Sequence, residues 1–270
     1  MADLSQVDFG RIARVYGRYR PPFPKVLFER LQEMGIGDPG QRILDLGTGT
    51  GAMARAFAKR SCLVTGLDKS ASLIQEAVRE SEEEGVSVRY IQAPAEQTGL
   101  PEGKFRAVTA CQCWGWFNKP AAAKEAFRLL RAGGLIAIIT YDWVTRSGGP
   151  AEAAEELIVR FNPQWMNVGG TGVHPEYLSD LTSAGFVDIE TFTFDVDVPF
   201  SREAWRGRVR ASAGVAGSLE PETTARFDDA LRLVLEDRFP AEPLHILHRI
   251  YTAVARKPGW DGDETTTSDW

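Results

Sequence analysis

The stretch Ile43-Leu44-Asp45-Leu46-Gly47-Thr48-Gly49-Thr50-Gly51-Ala52 decides the fold of this 270-residue chain. It reads as a short apolar strand, a tight glycine loop and the start of a helix. Glycine lets the backbone approach a ligand closely, and the helix that follows offers unpaired N–H groups at its N-terminus. Ligands of open α/β sheets bind beyond the carboxyl end of such a strand. Gly47, Gly49 and Ala52 also satisfy the G-x-G-x-x-G/A pattern of dinucleotide binders, which alone is a weak signal. Asp68 ends the next apolar run, Val64-Thr65-Gly66-Leu67-Asp68, at the spacing of a carboxylate that takes both hydroxyls of a cofactor ribose. A helix N-cap is the other role open to Asp68, and Ser70 fits that role equally well.

Outward from the loop the chain alternates. Strands are expected at Arg42–Leu46, Leu63–Leu67, Val86–Gln92, Ala107–Cys113 and, after the Gly133-Gly134 turn, Leu135–Tyr141. Helices are expected at Ala52–Lys59, Ser72–Glu84 and Ala121–Leu130. Such alternation predicts a parallel sheet covered on both faces. Upstream, Phe9, Ile12, Ala13 and Tyr16 keep helical spacing until Pro21, Pro22 and Pro24 stop the helix, and Val26–Met34 reads as a second one. Residues 1–40 are therefore a helical cap, with 9–24 expected to be mobile and to order over a bound ligand. After Asp142 the pattern changes to Gly-, Pro- and Trp-rich sequence. Helices are expected near Glu152–Arg160, over Pro175–Ala184 and through most of 201–238, with a core strand near 186–198 and a last strand over 244–257. The acidic tail, 258–270, reads as disordered. The whole of 1–257 is expected to be one domain, with 41–142 as its cofactor-binding core.

Composition sets limits on function. Apolar residues make up 43% and charged residues 25%, so the chain is globular rather than disordered. The net charge of −6 includes four acids of the tail, Asp261, Asp263, Glu264 and Asp269. A body this close to neutral speaks against nucleic-acid binding, which needs a basic surface. Cys62, Cys111 and Cys113 cannot build a disulfide framework; Cys111 and Cys113, two apart on an expected strand, should point the same way, and no metal site is read around them. No apolar run has the length of a signal peptide or of a bilayer span. The expectation is a cytoplasmic protein, monomeric or homodimeric, without membrane or nucleic-acid partners.

The tighter spacing Asp45-x-Gly47-x-Gly49-x-Gly51 resembles the first motif of class I S-adenosylmethionine (SAM)-dependent methyltransferases. Other segments are similar to the trans-aconitate- and ubiquinone-methyltransferase-like group. These are Phe9…Tyr16…Tyr19-Arg20-Pro21-Pro22-Phe23-Pro24, Gln92-Ala93-Pro94-Ala95-Glu96 with Leu100-Pro101, Phe105 to Phe117, and Arg128-Leu129-Leu130-Arg131-Ala132-Gly133-Gly134-Leu135. The resemblance covers most of residues 9–140. It implies a Rossmann-like α/β fold: a mostly parallel seven-stranded sheet, helices on both faces, an antiparallel last strand. It implies SAM as cofactor and a small-molecule methyl acceptor, with secondary metabolism as one setting. In one respect the chain departs from the pattern: relatives often carry Gln-x-x-His-Trp-Phe after the fourth strand, and here Gly115 stands at the His position. No role of that imidazole transfers.

The resemblance also assigns residues. Gly47, Thr48 and Gly49 would lie against the methionine and ribose parts of SAM, Asp45 would hold the loop or, through water, the amino group, and Asp68 with Lys69 would meet the ribose. Ala95 and Glu96 would contact the adenine, with Gln112 beside the cofactor. Tyr16 and Arg20 would close over the site, Arg20 facing the cofactor carboxylate. Residues 143–243 would supply acceptor contacts, with Trp116, Trp143 and Trp165 as aromatic walls. Tyr141, Asp142 and His174 are the residues available to act on the acceptor, and His245 and His248 read as structural. Arg206, Arg208 and Arg210 mark either an anionic acceptor or a solvated helix face. Two other readings are a SAM-dependent enzyme that does not methylate and an NAD(P)-dependent small-molecule oxidoreductase.

Overall fold

A computed structural model describes residues 19–259. Its centre is β1 (Arg42–Leu46), buried after its first residue. The chain continues through α2 (Ala52–Ala58), β2 (Leu63–Asp68), α3 (Ala71–Glu83), β3 (Arg89–Gln92), β4 (Phe105–Cys111), α4 (Lys119–Leu129) and β5 (Leu130–Trp143), with α1 (Lys25–Glu33) ahead of β1. Beyond come α5 (Pro150–Phe161), α6 (Glu176–Ser183), β6 (Val187–Phe200), α7 (Arg202–Arg210), α8 (Pro221–Arg238) and β7 (Leu244–Arg256). The sheet order is β3-β2-β1-β4-β5-β7-β6. Strands β1 to β5 pair in parallel, and β7 lies antiparallel between β5 and β6. The expected fold class is therefore the observed one, while the doubly wound dinucleotide order 3-2-1-4-5-6 lacks the inserted antiparallel strand.

Side chains alternate along each strand and feed two cores. Ile43, Ala137, Ile139 and Tyr141 face the core shared with α1, α2, α5, α7 and α8. Leu44, Leu46, Ile136 and Ile138 face the core shared with α4 and α6. Ser70 and Ser201 cap the starts of α3 and α7, accepting from the N–H groups of Leu73 and Ala204. Ser70 thus takes the cap, which leaves Asp68 free of that task.

Several boundaries differ from the sequence reading. β4 ends at Cys111, because Gln112 adopts φ +60° and turns the chain. Cys111 and Cys113 consequently pack against opposite cores instead of sharing a strand face. β5 runs on through Gly133-Gly134, where Gly133 N–H and Gly134 C=O pair with Lys257. β3 is shorter than expected, starting at Arg89 rather than Val86.

Parallel pairing brings the carboxyl ends of β1, β2, β4 and β5 to one edge. The antiparallel β7 brings its N-terminal half to the same edge, with His248 opposite Trp143. The proposed cap helix, Tyr16 and most of the acidic tail lie outside the described residues.

Candidate active site

Gly47, Gly49 and Gly51 all have positive φ, at 62°, 56° and 81°. The reasons for glycine differ. A Cβ on Gly47 would stand 2.8 Å from the Cys113 Cβ and the Phe117 ring, and one on Gly51 would stand 2.2 Å from the Tyr90 hydroxyl. A Cβ on Gly49 would meet nothing within 4 Å. Gly49 therefore presents bare backbone to open space at the end of β1. The loop is tied to β2 by Thr48 N–H donating to Leu67 C=O at 2.9 Å and Gly49 N–H donating to Asp68 Oδ2 at 3.0 Å.

Asp45 is 1% exposed in the middle of this assembly. Its carboxylate accepts from the Thr48 hydroxyl at 2.7 Å and the Thr109 hydroxyl at 2.8 Å. Its two oxygens thus fasten the loop to β4, the first of the two roles open to it. Burial pushes its carboxyl up to about 6, against the lowering effect of the threonine bonds. The folded form then holds the proton more tightly than the unfolded chain, so this group's contribution to stability falls as pH rises from about 4 to about 6. Asp45→Asn keeps the shape and removes the titration. We expect its stability in urea to be flatter with pH than wild type across that window, by about 3 kcal/mol from end to end. An unchanged pH slope would mean that Asp45 does not titrate there.

A cavity of about 540 Å³ opens over the loop. Gly47, Thr48, Gly49, Asp68, Lys69, Ala95, Glu96, Gln112 and Arg20, all singled out in the sequence, lie on its wall. The Asp68 oxygens accept from Gly49 N–H and Ser70 N–H, leaving further acceptor capacity toward the cavity. Glu96 Oε1 accepts from Asn118 N–H at 2.8 Å, so it also fixes the start of α4. Gln112 donates its amide N–H to the Tyr141 carbonyl, which joins the ends of β4 and β5. Its positive φ is a strained conformation of the kind that gathers at functional sites.

A second cavity of about 680 Å³ adjoins the first. Arg20, Gln112, Cys113, Gly115, Trp116 and Arg208 line both. The second one gathers Trp116, Trp143 and Trp165, as well as Asp142 and His174. His174 Nε2 lies 3.0 Å from Asp142 Oδ2 and Nδ1 lies 3.3 Å from Glu176 Oε1, and its ring stacks on Tyr177. The Asp142 hydrogen bond leads the effects that raise the imidazole above its ordinary value. Trp143 Nε1–H donates to Glu155, and Trp165 Nε1–H donates to the Asn167 carbonyl. Tyr141 lies on the first cavity, where burial lifts its phenol to about 12 and keeps it neutral.

The arginine triplet separates because α7 is a helix. Arg206 and Arg210, one turn apart, both pair with Asp228 of α8. Arg208 turns the other way, is 8% exposed, and sits with its guanidinium 4.8 Å from the Trp143 ring centroid. The reading of this triplet as a solvated face does not hold for Arg208. His248, read as structural, lines the first cavity. The signal was in the strand alternation: Leu244, Ile246 and Ile250 face the first core, and His248 falls on their face. Among the described residues no cluster of His, Cys, Asp and Glu could hold a metal ion, and no helix is long and apolar enough to cross a membrane.

A glycine loop after β1, an acid at the end of β2 and an antiparallel seventh strand define a Rossmann-like fold built around a nucleoside cofactor. Comparison with known proteins makes this specific: residues 43–134 match the family described as "Methyltransferase domain". A Dictyostelium discoideum protein described as a methyltransferase is 30% identical over 49% of this chain and 48% of its own length. The ubiquinone biosynthesis O-methyltransferase of Xanthomonas campestris is 27% identical over 65% of this chain and 72% of its own. The chain thus spans about half to three quarters of these relatives. In fold it is similar to a Haemonchus contortus phosphoethanolamine N-methyltransferase solved with phosphomonomethylethanolamine and S-adenosylhomocysteine. The TM-score is 0.57 at 18% identity, over 94% of this chain and 60% of that one. Over residues 43–134 the chain resembles the methyltransferase domain family, and the cofactor which that resemblance implies is SAM. The residues present fit it: a bare Gly49 backbone, an acid with spare acceptor capacity at Asp68, and the small, buried Ala95 line one cavity.

Proposed function

We propose that the protein transfers a methyl group from SAM to a small-molecule acceptor that enters through the second cavity and reaches the part of the first lined by Tyr141 and His248. The observation that carries this reading is the pair of adjoining cavities, one over the glycine loop and one walled by tryptophan, with a shared wall at Arg20, Gln112, Trp116 and Arg208. When bound, SAM supplies an electrophilic methyl group on a sulfonium, whose departure needs no acid. The chain's own task is then alignment and exclusion of water. Gly47, Thr48 and Gly49 would carry the methionine and ribose parts, Asp68 and Lys69 the ribose, Ala95 and Glu96 the adenine. Arg20, with Gln112 beside it, would meet the cofactor carboxylate, and Tyr16 would close over it. Asp45 would act through the loop it fastens. Trp116, Trp143 and Trp165 would flank the acceptor. Asp142 with His174, and the neutral Tyr141 phenol, would orient it by hydrogen bonds.

Relatives named as ubiquinone biosynthesis O-methyltransferases favour an oxygen acceptor. The free Cys62, Cys111 and Cys113 fit a reducing, cytoplasmic setting. The test is release of S-adenosylhomocysteine across phenols, alcohols, carboxylic acids, thiols and amines, with the products weighed by mass spectrometry. The expected result is one S-adenosylhomocysteine per methylated product. Acceptor conversion with SAM unconsumed would assign the non-methylating chemistry instead.

A further inference from the structure

His248 is fully buried on the wall of the first cavity, beside Tyr141 and Arg208. Its ring packs between Tyr141 and Phe200, with centroids at 5.1 and 5.8 Å, which fixes its orientation. Its Nδ1 lies 3.0 Å from the carbonyl oxygen of Ile246. A carbonyl only accepts, so Nδ1 carries the proton and donates it. In a neutral imidazole the other nitrogen then keeps its lone pair. That nitrogen, Nε2, is buried and makes no hydrogen bond among the described residues. Buried polar atoms without a partner are few in native proteins, and a ligand is one of the explanations.

The charged groups that face this ring are Arg208 from α7, Asp142 from β5 and Arg20 from the segment ahead of α1. Burial leads the effects that push the imidazole down to about 4, and the two guanidiniums add to it against Asp142. His248 is therefore neutral at physiological pH. Two arginines beside it disfavour a cationic amine as the partner of Nε2, and a hydroxyl carries no such penalty. His174 offers no equivalent lone pair, since both of its ring nitrogens already face carboxylates.

We propose that His248 Nε2 accepts the hydrogen bond, and then the proton, of a hydroxyl group on the methyl acceptor, so that the site selects neutral or anionic phenols and alcohols. This deepens the methyl-transfer reading and rests on it. As the acceptor oxygen bonds to the methyl carbon, the carbon–sulfur bond breaks and its electron pair stays on sulfur. The hydroxyl proton passes to Nε2, leaving an ether and an imidazolium. A weakly basic imidazole suffices, because the oxygen becomes strongly acidic only as it gains the methyl group.

The experiment combines ¹⁵N-histidine NMR of the full chain with kinetics. With S-adenosylhomocysteine present, the wild type should show an unprotonated, pyridine-like Nε2 for His248, and titration with the phenol turned over fastest should shift it toward the hydrogen-bonded range. His248→Gln and His248→Phe should keep SAM affinity within about twofold while kcat on that phenol falls about a hundredfold or more, with KM changed far less. Methylation confined to amines or thiols, an Nε2 resonance that phenol does not move, or a folded His248→Phe of wild-type kcat would each overturn the proposal while leaving methyl transfer in place. Should both variants fail to fold, the wild-type titration decides. Absence of SAM binding would instead remove the methyl-transfer reading, and this proposal with it.

Discussion

Asp68→Ala should bind SAM about ten- to a hundredfold more weakly than the wild type, because a charged hydrogen bond to ribose hydroxyls is worth about 1.5–3 kcal/mol. The position supports this. Asp68 ends β2 on the wall of the first cavity, and Ser70 rather than Asp68 caps the following helix. Its oxygens also hold Gly49 N–H and Ser70 N–H, so Ala would loosen the loop as well as remove the carboxylate. Asp68→Asn separates the two. It retains one oxygen to accept from the loop while losing the charge, and should fall between wild type and Ala in calorimetric titration with SAM. An Ala variant with wild-type affinity would mean that the ribose is held elsewhere.

Gly47→Ala should destabilise the fold strongly. It places a side chain at φ 62°, which costs about 1–3 kcal/mol, and drives a Cβ to 2.8 Å from Cys113 and Phe117, where overpacking costs about as much again. The melting temperature should drop by roughly 5–15 °C. Gly49→Ala shares the positive φ but meets no neighbour within 4 Å. It should melt much closer to wild type yet lose SAM affinity, because its methyl group would enter the space over the loop. Thermal melts with and without SAM distinguish these two outcomes. Equal melting temperatures for both variants would mean that Cys113 and Phe117 move aside.

The fold was legible because its signals are local. The apolar run Arg42–Leu46, the glycines after it and the acid at Asp68 lie within one strand–helix–strand unit, and the alternation that follows repeats that unit. The extension of β5 depends on a distant partner: Gly133 and Gly134 pair with Lys257, the residue that follows β7. The cofactor side of the site was legible for the same local reason. The acceptor side was less so. His248 and Arg208 reach the cavity walls from β7 and α7, more than sixty residues beyond Asp142. Nothing in the spacing of Arg206, Arg208 and Arg210 separates the one that turns inward until α7 packs on α8, where Asp228 holds the other two. The lone polar residue on the inward face of an apolar strand was the available sign for His248, and it is one that structural histidines share.

The cavity over Gly47–Gly51 should take SAM and refuse NAD. Isothermal calorimetry of the full chain against SAM and, separately, NAD tests it most directly. Saturable heat with one site per chain is expected for SAM, with a weakened response in Asp68→Ala and none for NAD. Tight NAD binding with no SAM heat would contradict it.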